Sequence, residues 1–79
     1  MRFEVTEPAE RDLADLDKKT QRRIKAVLDR LLTYPQAIDL KKLQGSPERW
    51  RVRVGDWRVI LRIDREQRVL YVLRIRHRR

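Results

Sequence analysis

An α+β fold of order β-α-α-β-β-β is predicted, with an antiparallel αα-hairpin packed on a small antiparallel sheet. Three features of the sequence predict it. The stretch Trp50 to Ile63, WRVRVGDWRVILRI, alternates apolar and mostly basic residues around Gly55-Asp56 and reads as a β-hairpin. Upstream, Ile24, Val27, Leu28, Leu31 and Leu32 recur at helical spacing as one apolar stripe. The length of 79 residues fits a single domain over residues 1–79, which would bury roughly 60% of its unfolded surface in one modest core.

The elements follow in order. Arg2 to Val5 suits a short strand with Phe3 and Val5 facing inward. Thr6 is a plausible N-cap, and Glu7-Pro8 suits a first helical turn, where Pro is tolerated and an acid complements the dipole. A helix over about Pro8 to Leu16 places Ala9, Leu13 and Leu16 near one face. Asp17 opens a second helix, about Lys18 to Thr33, and Pro35 after Tyr34 ends it. Residues 36–49 read as a connecting segment anchored by Leu40 and Leu43, with Gly45-Ser46-Pro47 as a turn.

In the hairpin, Gly55 supplies the positive φ that the first central position of a two-residue turn requires. Val54 then faces Trp57, Arg53 faces Arg58, and Val52 faces Val59. Trp50, Val52, Val54, Trp57, Val59, Leu61 and Ile63 share the core face. Arg51, Arg53, Arg58 and Arg62 share the other, with Ile60 among them. Arg directly across from Arg is unfavourable, and an anion bridging the guanidinium groups is the simplest resolution. The last strand, Arg68 to Arg76, is ambiguous in phase. A three-residue turn at Arg65-Glu66-Gln67 is expected, because it puts Val69, Tyr71, Leu73 and Ile75 on the core and Arg74, Arg76 and Arg78 on the basic face. A slip of one residue would reverse every side chain.

Charge narrows the function. The net charge is +9. Residues 1–44 hold ten basic against eight acidic side chains, whereas residues 45–79 hold eleven arginines against four acids. Guanidinium forks match phosphate oxygens bidentately, so nucleic acid or an acidic protein is the expected partner. Lys41 and Lys42 lie beside the hairpin in sequence and are candidates to reach a phosphate, as are Arg62, Arg74 and Arg76. There is no cysteine and one histidine, so neither a disulfide framework nor a thiolate metal site is available and no metal or cofactor is expected. The N-terminus lacks the apolar run of a secretory signal, and a cytoplasmic location without membrane association is expected.

A helical pair ending in LxxxP, then KKLQGSPERWRVRVGDWRVILRID, then VLYVLRIRHRR, resembles the RelE family of type II toxin–antitoxin systems, within the RelE/ParE superfamily. The resemblance runs over nearly the whole chain. It implies a toxin that cuts mRNA in the ribosomal A site as a metal-independent endoribonuclease (an mRNA interferase), inhibits translation, and is neutralised by a cognate RelB-like antitoxin. Carried over by position, the family's basic residues fall on Arg51, Arg53 and Arg58 and, within the pair His77-Arg78, on Arg78. Many members continue to a tyrosine that stacks on the substrate base. The sequence stops at Arg79, and Tyr71 is not expected to substitute, because the favoured register buries it.

Such cleavage needs an aligned 2′-hydroxyl, stabilised negative charge and proton transfer. Arg53 and Arg58 are placed to hold the scissile phosphate, Arg51 a neighbouring one, and Arg78 the leaving oxygen. Guanidinium is a poor base, and His77 is the one side chain that ordinarily titrates near neutrality. Two other readings stay open: a ParE-like inhibitor of DNA gyrase, and a cleavage-deficient relative that binds only its antitoxin.

Overall fold

The structure is a computed structural model, and it describes residues 2–33, 40–43, 45 and 48–78. The order is β1 (Arg2–Val5), α1 (Glu7–Ala14), α2 (Lys18–Thr33), β2 (Leu40–Lys42), β3 (Arg49–Val54), β4 (Trp57–Asp64) and β5 (Val69–His77). Among the described residues the strands form one five-stranded sheet, ordered β1-β5-β4-β3-β2.

The predicted order is present, with two refinements. The segment that reads as a connection contains β2, which pairs antiparallel with β3 from Leu40↔Val52 to Lys42↔Trp50. The sheet is mixed, because β1 runs parallel to β5. The predicted end of α2 at Tyr34-Pro35, and Ser46-Pro47 of the predicted turn, lie outside the described residues.

The helices cover one face. Ala9 of α1 and Ile24, Leu28 and Leu31 of α2 pack with Val52, Val54, Val59, Leu61, Leu70, Val72 and Ile75 of the sheet. Phe3, Val5, Trp50, Trp57 and Ile63 border this cluster half-buried, so both tryptophans serve the core. Asp17 caps α2 by accepting the Thr20 amide at 3.1 Å. Thr6 precedes α1 as expected, yet its hydroxyl does not cap the helix. It is shared instead between the carbonyls of Val72 (2.9 Å) and Leu73 (3.0 Å).

That hydroxyl meets β5 where the expected register fails. The β4–β5 loop has four residues, Arg65 to Arg68, since Asp64 pairs with Val69. Arg68 closes it at φ 58°, and the Asp64 carboxylate accepts the Gln67 amide at 3.0 Å. The extra residue reverses the phase, so Leu70 and Val72 are buried, and Tyr71 faces Arg62. An irregularity between the Leu61↔Val72 and Ile60↔Arg74 pairs leaves Leu73 as a bulge. Beyond it the phase is restored, with Ile75 in the core and Arg76 opposite Arg58. Tyr71 and Leu73 are therefore half-buried residues outside the core cluster.

Candidate nucleic-acid interface

The sheet face away from the helices carries the arginines in cross-strand rows about 7 Å apart, two residues along each strand. The first row is Arg53, Arg58 and Arg76. The second is Lys41, Arg51, Ile60 and Arg74, and the third is Arg49, Arg62 and Tyr71. Strand alternation dictates these rows once the hairpin turns at Gly55-Asp56. Gly55 has φ +59°, as the turn requires, and the Arg23 guanidinium of α2 lies against it.

Lys41, Arg51, Arg53, Arg58 and Arg78 line a cavity of about 340 Å³. Arg78 comes from beyond β5 and is tethered to the hairpin turn. Its amide donates to the Asp56 carbonyl at 2.8 Å, and its guanidinium lies 3.9 Å from the Asp56 carboxylate. Among the described residues no ion pair engages Arg51, Arg53 or Arg58. With five cations and no carboxylate in its lining among the described residues, the cavity is built for an anion with several oxygens. A second hollow of about 560 Å³ adjoins it, lined by Leu43, Ile60, Arg76 and His77 and sharing Arg51, Arg58 and Arg78.

The structure thus brings Arg51, Arg53, Arg58, Arg78 and Lys41 together and sets other candidates apart. Lys42 pairs with Trp50 and projects on the opposite face, its ammonium 6.0 Å from the Trp50 ring. Arg74 is turned to α1, where Nε lies 2.9 Å from the Asp12 carboxylate. That carboxylate also accepts the Ile75 amide at 2.8 Å, capping a stretch of β5 that β1 does not reach. The hydrogen bond from Arg74 holds Asp12 below its ordinary pKa, against partial burial, with the Ile75 amide assisting. Arg62 remains on the face, 3.7 Å from Glu48 and with its guanidinium 4.5 Å over the Tyr71 ring. His77 shares its register position with Trp57, and their rings meet edge to face at 5.0 Å, on the side of Val59 and Ile75. Its ring therefore belongs to the opposite face from Arg58, although the residue borders the second hollow.

Sequence pattern misses several members of this surface. Tyr71, expected in the core, stands on the basic face beside Arg62. Leu43 and Ile60 form the apolar part of the second hollow, and the lone apolar position among the hairpin arginines is the one available signal for Ile60. Asp56 reads in sequence only as a turn residue, and its polar side chain gives no sign of the distant Arg78.

Three comparisons set this surface among known proteins. Residues 3–79 match the sequence profile described as "ParE toxin of type II toxin-antitoxin system, parDE". A Methanocaldococcus jannaschii protein named "Putative toxin RelE1" is 32% identical over 71 residues, covering 86% of this chain and 79% of that protein. The fold superposes on the RelE–RelB complex of Pyrococcus horikoshii OT3 with a TM-score of 0.82 at 28% identity, covering 98% of this chain and 93% of that one. It likewise matches the isolated Escherichia coli RelE toxin with a TM-score of 0.83 at 20% identity, covering 98% and 83%.

Proposed function

This chain belongs to the ParE toxin family of type II toxin–antitoxin systems, within the RelE/ParE superfamily, and on that premise we propose that it is a ribosome-dependent, metal-independent mRNA endoribonuclease. The observation that carries this reading is the cavity of Lys41, Arg51, Arg53, Arg58 and Arg78. A gathering of like charges with no acid among the described residues of its lining costs folding energy, and a bound phosphodiester offsets that cost.

In this mechanism the 2′-oxygen of the preceding ribose attacks phosphorus. The P–O2′ bond forms as the P–O5′ bond breaks, giving a 2′,3′-cyclic phosphate and a 5′-hydroxyl. Arg53 and Arg58 hold the non-bridging oxygens as charge develops, which is the preorganised electrostatic part of catalysis. Arg51 and Lys41 hold the adjacent backbone. Arg78, fixed by Asp56, stands toward the leaving oxygen. Guanidinium does not accept the 2′-proton, and the His77 ring packs on Trp57 away from the arginines. The 2′-proton therefore passes to a group of the ribosome–mRNA complex, and the leaving 5′-oxygen takes its proton from that complex or its water, which accounts for the dependence on the ribosome. The protein partner is a RelB-like antitoxin, supported by the RelE–RelB assembly of the P. horikoshii relative.

Primer extension on mRNA held in programmed ribosomes tests this reading. Discrete breaks in the A-site codon are expected from the natural protein and not from Arg58→Ala. The family match to ParE toxins supports a second reading, a DNA gyrase inhibitor. Gyrase-linked DNA breaks with intact mRNA would establish that one. Neither kind of break, with antitoxin binding retained, would leave a binding-only relative.

A further inference from the structure

The hollow beside the arginine cavity differs in chemistry from its neighbour. It shares Arg51, Arg58 and Arg78, but Leu43 and Ile60 give it an apolar part, and Arg76 and His77 complete its lining. Both apolar residues are half-exposed, on a face that otherwise presents charged side chains and Tyr71. Ile60 is two residues from Arg58 along β4 and directly across from Arg51. An apolar surface within about 7 Å of a phosphate-binding row fits a molecule that is anionic at one end and flat and apolar a few ångströms away.

We propose that this hollow is a nucleobase subsite: the base of a nucleotide whose phosphate occupies the arginine cavity rests on Ile60 and Leu43, under the guanidinium of Arg76. The inference rests on the RNA-cleavage reading for its biological substrate. Apolar side chains and guanidinium planes both accept the π-face of a base, whatever its identity. The subsite holds the base by area rather than by hydrogen-bond readout. Arg76, a candidate RNA ligand by charge alone, acquires a defined place.

The test compares two probes of equal charge, adenosine 5′-monophosphate and ribose 5-phosphate, by calorimetric titration of the intact protein at low salt. The nucleotide is expected to bind about tenfold more tightly. Ile60→Ser, and independently Leu43→Ser in the segment just after β2, should bring that ratio to near one, while Arg58→Ala weakens both probes. Equal binding of the two probes by the natural protein, or a ratio that survives both serine variants, overturns the subsite. Equal binding together with Ile60-dependent capture of an acidic peptide bearing one leucine also overturns it, in favour of a protein segment. Ribosomal assays separate the two readings. Base preference without mRNA breaks sinks the nuclease and keeps the subsite, and mRNA breaks without base preference do the reverse.

Discussion

Arg53 of β3 stands directly opposite Arg58 of β4, one pair removed from the Val54–Trp57 pair that closes the hairpin. Like charges so placed destabilise a sheet by a few tenths of a kcal/mol. Arg53→Thr should therefore raise the melting temperature of the ligand-free protein at low salt by about 2–4 °C, from roughly 0.5 kcal/mol. Added phosphate should stabilise the natural protein more than the variant. A melting temperature that falls on substitution would mean that the pair is not under electrostatic strain.

Lys41 and Lys42 are neighbours in sequence on opposite faces of β2. Single-stranded RNA should distinguish them. Lys41→Ala should lower affinity and reduce the salt slope by roughly 0.7, the value for one phosphate contact on a single strand. Lys42→Ala, whose ammonium lies over Trp50, should leave the slope unchanged. Equal losses from both would contradict the β2–β3 register.

The Asp12 carboxylate joins α1 to β5 through Arg74 and the Ile75 amide. Its pKa lies below the ordinary 3.8. A depressed carboxylate contributes stability that is present above the unfolded value and lost as pH falls through the folded one. The contribution is thus full at neutral pH, begins to fall as pH drops toward 3.8, and is gone only below the folded value. Urea midpoints at pH 7 and pH 3 should converge in Asp12→Ala relative to the natural protein. At pH 7 the variant should lose about 1–2 kcal/mol, from the broken charged hydrogen bonds.

Gly55 carries two constraints, a positive φ and the nearby Arg23. A Cβ there would lie 3.0 Å from Arg23 Nη1, the far end of a flexible side chain. The conformational strain dominates, at about 1–2 kcal/mol for an L-residue in this region. Gly55→Ala should lower the melting temperature by roughly 4–16 °C. Adding Arg23→Ala should restore little of it. Full rescue by the second substitution would show that the clash, not the backbone, governs the position.

The central hairpin is legible in the sequence because its two faces differ in kind: apolar residues alternate with arginines, and Gly-Asp marks the turn. Alternation about that turn is enough to make Arg51, Arg53 and Arg58 neighbours. β5 is illegible for the opposite reason. Val69 through Ile75 is apolar at six of seven positions, so neither phase is penalised. The choice falls to a left-handed Arg68 and a bulge at Leu73, which local pattern does not announce. Charge alone does not separate Arg74 from Arg76, because the partner of Arg74, Asp12, lies 62 residues away. Lys41 and Lys42 are likewise inseparable until the short strand LKK has a register.

The position of β5 inside the sheet has a consequence for synthesis. β1 pairs with β5, and β5 with β4. Emerging from the ribosome, β1 therefore has no partner in the sheet until Val69–His77 has been translated. At roughly 5–20 residues per second, the intervening chain takes several seconds to make. Only then do the first row of arginines and the Asp56–Arg78 tether assemble. Until then the basic face lacks Arg76 and Arg78, so the complete anion-binding surface comes into being only with the last strand.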